Sequence, residues 1–156
     1  MSLFTLRKRK LLGTLLVALQ FGLLAGLAVL ASPQVVSGAI PWGPGVLAGT
    51  SIALAAWTLI HNRPGNFNIR PTPKSWGTLI TSGPYRHIRH PMYTSVLLGA
   101  AALAGLSTSL QGWLAWTALA GVLWLKSSFE ERWMREQHPG YGAYAQETKR
   151  FLPWLF

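Results

Sequence analysis

The sequence predicts an all-α integral membrane protein of about four transmembrane helices, the last two forming a hairpin, with a long cytoplasmic loop after the second span and a helical cytoplasmic tail. Three observations carry this. Half of the 156 residues are hydrophobic and only 12% are charged, about half the charged share of an ordinary soluble domain. Four apolar runs, about 11–31, 45–60, 92–106 and 110–125, punctuate the chain. All 14 lysines and arginines fall in alternate segments between those runs, which puts them on one side of a membrane. Without tandem repeats, a chain of this length makes one membrane domain, 1–156.

The first run, Leu11 to Ala31, holds 21 residues without a charge, with Gln20 its most polar member. As a helix it extends about 31 Å, enough for the bilayer core. A cleaved signal peptide has the same outline, basic "LRKRK" ahead of an apolar run, but its core is only about 7 to 15 residues, so a retained span is expected. The second run, Gly45 to Ile60, follows "IPWGPG", whose prolines and Trp42 suit an interfacial helix start. Met92 to Leu106 and Leu110 to Leu125 hold 15 and 16 residues, short for a crossing, and the polar turn Ser107-Thr108-Ser109 joins them as a hairpin. "GAAALAG" in the third run lets a neighbouring helix approach closely, and Ala118, Ala120 and Gly121 of the fourth offer a matching small face.

Charge placement orients the spans. Arg7 to Lys10 precede the first, the linker 32–44 and the turn at Ser107 carry no charge, and the remaining cations lie in the loop 61–91 or the tail 126–156. Lys and Arg mark the cytoplasmic side, so both termini and the loop are expected there. The net charge of +10 is assigned to this topology and to anionic membrane lipid. A nucleic-acid binder would instead carry a basic stripe on a soluble fold. The absence of cysteine removes disulfides, thiolate metal sites and a catalytic thiol.

The loop 61–91 holds five of the ten prolines and is too long for an idle connector. Phe67, Ile69, Trp76, Leu79, Ile80 and Tyr85 are residues that a disordered linker has no reason to carry. Its densest part is "GPYRHIRHPMY", Gly83 to Tyr93. Pro91 suits the first turn of a helix and pushes His90 out of helical geometry, so the third span should begin there. The open N–H groups of that helix start, with Arg86 and Arg89, make a corner suited to a carboxylate, such as that of an amino-acid-like cofactor. The chain has no aspartate and four glutamates, Glu130, Glu131, Glu136 and Glu147, all after the fourth run. The hairpin should return Glu130 and Glu131 to the level of Arg89 and His90. The plainer alternative is a solvated helix end with Glu131 and Arg135 as an i, i+4 pair.

Other chemistries fit less well. His87 and His90 stand in a proline-ended loop without the three or four ligands that a zinc site needs, so no metal is expected. "GTLITSG" lacks the lysine and spacing of a phosphate-binding loop, and nothing marks Ser82 or Ser95 as the nucleophile of a triad.

The combination of "GTLITSGPYRHIRHPMY", a glutamate pair about 35 residues later and then "YGAYAQETKRFLPWLF" resembles the isoprenylcysteine carboxyl methyltransferase family of integral membrane enzymes, which also includes phospholipid methyltransferase-like members. The resemblance covers roughly residues 60–156. It implies S-adenosylmethionine as cofactor and a small or lipid-like methyl acceptor bearing a carboxyl, amine or thiol. The implied cofactor-binding residues are Gly77, Thr78, Leu79, Ile80, Tyr85, Arg89, His90, Pro91, Tyr93, Glu130 and Glu131. The implied catalytic residues are Glu130, Lys126 and Arg89. Lys126 falls at the substrate-facing basic position, where the better-known eukaryotic members have arginine, and a lysine cannot grip a carboxylate bidentately. The phospholipid branch's G-x-G has no counterpart here beyond Gly99 and Gly105. Methyl transfer needs mainly alignment; an amine or thiol acceptor would add a base, for which Glu130 is the candidate. Trp76, Tyr85 and Tyr93 could face a sulfonium through their rings. Tyr141, Tyr144, Ala145 and Thr148 fall on one side of a short helix after His138-Pro139-Gly140, and this tail is expected to close the pocket. The alternative is a non-enzymatic lipid-binding or assembly protein that retains the architecture.

Overall fold

A computed structural model describes residues 3–62 and 78–153, with the side chains of 3–10 excepted. Among the described residues five helices follow in order: α1 Leu3–Val36, α2 Trp42–His61, α3 Pro91–Leu106, α4 Leu110–Gln137 and α5 Tyr141–Glu147, with a 3-10 turn at Gly83–Arg86. No strand occurs among the described residues; Ile88 and Lys149 form one isolated parallel bridge.

α1 is longer than its apolar run at both ends, and Pro33 lies inside it. A proline there cannot donate to the carbonyl of Val29. The Ser32 hydroxyl donates to that carbonyl instead, at 2.8 Å, so the helix closes one more turn. α2 begins three residues earlier than expected, after Pro41, with Pro44 in its first turn where no N–H is required. α3 starts at Pro91. α4 is capped by Ser109, whose side chain accepts from the Gly112 N–H, and it runs on past Leu125 through both glutamates.

The core lies between α1, α3 and α4, where Leu27, Ala100, Ala104, Leu119 and Leu123 are buried together and Leu23, Val96 and Trp116 pack on them. The Trp116 indole donates to the Leu97 carbonyl at 2.9 Å, so this bulky ring brings no unpaired polar group inside. α2 packs on the other side of α3. A Cβ at Gly99 would come within 2.9 Å of Ser51 Oγ, and one at Gly105 within 3.2 Å of Pro44. The small face of α3 therefore receives α2. Of the match expected on α4, a Cβ at Gly121 would meet nothing within 4 Å and Ala118 is exposed, while Ala120 is half-buried.

Among the described residues, two helices are long and apolar enough to cross a membrane, Leu11–Val36 and Trp42–His61, with only 22% and 6% of their most apolar windows buried. Large apolar side chains that turn outward, such as Leu15, Phe21, Val29, Ile52 and Trp57, match lipid surroundings better than water. α3 is a shorter apolar helix.

Candidate functional site

The sequence places its polar groups at one end of the bundle, where α3 begins and α4 leaves its apolar stretch. His90 precedes Pro91 with φ −126° and ψ 57°, outside helical geometry, as the proline requires. Its ring reaches both glutamates of α4: Nε2 lies 3.1 Å from Glu131 Oε1 and Nδ1 3.6 Å from Glu130 Oε2.

The two adjacent carboxylates live in different surroundings. Glu131 is 3% exposed and is held from three directions. Arg89 Nε donates to Oε1 at 2.8 Å, His90 contacts the same oxygen, and Arg150 donates Nε to Oε1 and Nη2 to Oε2, both at 3.2 Å. Arg135, four residues along, stands farther off at 3.9 Å. Burial pushes the Glu131 carboxyl up, but hydrogen bonds and charge from His90 and Arg89 outweigh it and hold the group down at about 2. Glu130 keeps 30% of its side chain exposed and accepts from the Tyr93 hydroxyl at 3.0 Å. The Tyr93 ring stacks on His90, with centroids 5.4 Å apart and planes 3° from parallel.

The carboxyl-terminal segment fastens this corner. Arg89 N–H donates to the Lys149 carbonyl at 2.7 Å, His90 N–H to Arg150 at 3.1 Å, and Lys149 N–H back to His87 at 3.2 Å. Arg89 Nη1 donates to the carbonyls of Ala145 and Thr148. Thr94 Oγ1 donates to the Phe151 carbonyl and Tyr144 to that of Tyr85. Arg150 also covers the Trp124 ring at 4.4 Å and donates to Ser128. The side of α5 expected to face inward does so through Tyr141 and Tyr144, with Thr148 just beyond it. Burial and the nearby Glu131 raise the Tyr141 hydroxyl, and burial, followed by Glu130, pushes that of Tyr85 up to about 12.

Arg89, His90, Tyr93, Lys126, Glu130 and Glu131 are thus brought together, with Pro91 starting the helix and Tyr85 close enough to feel Glu130. Lys126 is 1% exposed, donates to Gln20 of α1 and lies 5.1 Å from the Tyr93 ring centroid. Arg89 does not stand open as part of an anion corner: its guanidinium is spent on Glu131 and two backbone carbonyls, while Arg86 is exposed. Thr78, Leu79 and Ile80 form the irregular segment leading into the 3-10 turn. Gly77 and Trp76 lie outside the described residues. Sequence reasoning passed over Arg150 and Gln20; the lone amide in an apolar run was the signal for the second.

A sequence profile of the phospholipid methyltransferase family matches residues 46–140, from the first turns of α2 through the glutamate pair to the end of α4. The chain belongs to that family. The all-helical bundle with two outward-facing apolar helices is in keeping with that membership. The chain is also similar to a cobalt-zinc-cadmium resistance protein, CzcN, of Cupriavidus metallidurans, at 39% identity over 80 residues, half of this chain and 37% of that protein. The chain therefore spans little more than a third of that relative's length. Among the described residues no group of three or more metal-ligating side chains occurs. No solved structure matches.

Proposed function

We propose that this family member transfers a methyl group from S-adenosylmethionine to a small or lipid-like acceptor at the cytoplasmic face of a membrane that it crosses four times. The observation that carries this reading is the meeting of His90 and Tyr93 with Glu130 at the end of the bundle. It joins a partly open carboxylate to aromatic faces, a donor set that fits a cationic, hydroxyl-bearing nucleoside. When bound, the cofactor supplies an electrophilic methyl on a sulfonium.

The chain's own residues then have separate tasks. Glu130 accepts from hydroxyl or ammonium donors, and its orientation is fixed by the Tyr93 hydroxyl. Tyr85, half-buried near Glu130, would offer its ring to the sulfonium, while the Tyr93 ring is stacked on His90 and acts through its hydroxyl. Glu131 with Arg89 and Arg150 holds the α3 start, α4 and the carboxyl-terminal segment in one register, so Arg89 works as a positioning residue. Lys126 addresses the acceptor. Alignment of the reacting atoms can remove about 7–11 kcal/mol of barrier, which suits a site whose groups are held by so many contacts. An amine or thiol acceptor would pass its proton to Glu130.

Helix lengths support the topology. Glu130 lies 20 residues beyond Leu110 on one continuous helix, about 30 Å along it and thus one hydrocarbon thickness. α4 therefore crosses by adding Lys126 and Ser127, both buried inward, to its apolar run, and α3 returns beside it.

Calorimetric titration of the detergent-solubilised chain with S-adenosylhomocysteine tests the reading. Saturable binding is expected, weakened about tenfold or more by Glu130→Gln. Correctly folded protein with no binding would favour the non-enzymatic alternative. A labelled-methyl screen over carboxyl, amine, thiol and phospholipid acceptors then fixes the substrate class.

A further inference from the structure

Away from the glutamate pair, an apolar groove of about 260 Å³ lies between α2 and the carboxyl-terminal segment. Leu54 and Trp57 of α2 line one side, Pro84 and Ile88 another, and Phe151 and Pro153 a third. Thr94 is also part of the lining, but its hydroxyl is spent on the Phe151 carbonyl at 2.8 Å and asks nothing of an occupant. Tyr93, Lys126 and Glu130 are not among the described residues that line the groove. The rings of Phe151 and His90, 5.9 Å apart, come between it and those groups.

The depth of the groove follows from α2. Its 20 residues extend about 30 Å, one hydrocarbon thickness, which puts His61 at the core boundary. Leu54 and Trp57 stand seven and four residues before that end, about 10 and 6 Å into the hydrocarbon. Trp57 keeps 43% of its surface exposed, so the groove meets the lipid-facing side of the helix. The 3-10 turn sits on the end of α2, since a Cβ at Gly83 would fall 2.3 Å from the His61 ring. That turn therefore lies at headgroup level.

The parallel bridge decides which side chains stand there. Paired residues project to one face and their neighbours to the other. Arg89 and Arg150 turn to Glu131, whereas Ile88 turns into the groove and Lys149, its bridge partner, shares that face. Lys149 is exposed, as are Arg86 and His87 of the adjoining turn, and His87 also lines the groove. Among the described residues none of the three forms an ion pair. A hydrocarbon lining thus ends in a rim that carries cations and no carboxylate partner.

We propose that this groove seats an acyl chain of an anionic phospholipid from the adjoining leaflet, with the headgroup phosphate held by Lys149, Arg86 and the His87 ring. The lining draws the chain and the rim selects the head, because a zwitterionic lipid would bring its own cation beside Lys149 and Arg86. The volume falls below the ~300 Å³ at which small-molecule sites begin, so part of one chain enters and the rest follows the outward face of α2. The inference rests on α2 crossing a membrane and is independent of methyl transfer.

Native mass spectrometry of the full chain released from detergent tests it with phosphatidylglycerol, phosphatidylcholine and phosphatidylethanolamine of identical acyl chains. The wild type should retain one phosphatidylglycerol about tenfold more tightly than either of the others. Arg86→Glu combined with Lys149→Glu should erase that preference, whereas Arg132→Glu, at an exposed cation that does not line the groove, should leave it. Leu54→Trp fills the groove and should cut retention about tenfold. Phosphatidylglycerol with a diazirine midway along one chain gives a second measurement on the wild type, which decides the matter if Leu54→Trp does not fold. On illumination it should mark residues 54–57 or 151–153. Equal retention of the three lipids, a preference that survives the double charge reversal or is lost in Arg132→Glu, unchanged retention by folded Leu54→Trp, or label outside those residues would overturn the inference. So would tighter retention of phosphatidylethanolamine, which would make the groove the seat of an amine-bearing acceptor. Absence of S-adenosylhomocysteine binding would leave the lipid site standing and remove the methyltransferase reading alone.

Discussion

Arg150 and Glu131 meet side to side, Nε with Oε1 and Nη2 with Oε2, both at 3.2 Å. This two-pronged contact ties the carboxyl-terminal segment to α4, while Arg89 binds the same carboxylate from the start of α3. Three separate parts of the chain therefore share one buried anion. Arg150→Lys keeps the cation but loses the planar fork, so it should destabilise nearly as much as Arg150→Ala, by about 1.5–3 kcal/mol. Thermal unfolding of the two variants in one detergent checks this; a lysine variant as stable as wild type would show that charge alone suffices.

The same anion sets an acid limit. The Glu131 carboxyl is held at about 2 against an ordinary value of 4.5. Between those values the unfolded chain binds the proton and the folded chain does not, so stability falls as pH falls. The contribution is complete above about 4.5 and gone below about 2. Melting temperature should decline by several degrees between pH 5 and pH 3, and Glu131→Gln should start lower, with a flatter profile, because Arg89 and Arg150 lose their charge partner. An unchanged profile in that variant would assign the acid sensitivity elsewhere.

Much of this corner is legible in the sequence because strong local rules act there. Pro91 dictates both the α3 start and the geometry of His90, the short Ser107 turn dictates a hairpin, and α4 has no breaker between Leu125 and Glu131. Together they bring His90 to the glutamates. The roles of the two glutamates are not legible, since adjacent residues of one type differ only in what folds over them. Arg89 and Arg86 look alike for the same reason, and only the return of residues 148–150 separates a buried guanidinium from an exposed one. The partner of α3's small face is similarly invisible: α2 and α4 both carry small residues, and three-dimensional packing selects Ser51 and Pro44.

Gly83 is required by both backbone and space. Its φ is +61°, and a Cβ would fall 2.3 Å from His61 Cδ2. Left-handed geometry costs a non-glycine residue about 1–2 kcal/mol, and the clash would push the turn away from the end of α2. Gly83→Ala should therefore lower the melting temperature and weaken S-adenosylhomocysteine binding through displacement of Tyr85. His61→Ala in the same chain should relieve the clash but not the backbone cost, giving partial recovery. Full recovery would show that space alone demands the glycine.

The absence of cysteine makes the proposed topology directly testable, because any introduced thiol is the only one present. Ser37→Cys and Gln111→Cys sit at the ends of α1 and α4 away from the site, whereas Glu136→Cys lies beyond the glutamate pair, and all three positions are exposed. If α1 and α4 both cross, a membrane-impermeant maleimide applied outside intact cells should label positions 37 and 111 but reach 136 only after permeabilisation. Labelling of both 111 and 136 from outside would mean that α4 does not cross. The glutamate end of the bundle would then lie on the opposite side from that which the cations of the loop and tail demand, and a cytoplasmic cofactor supply could not reach it.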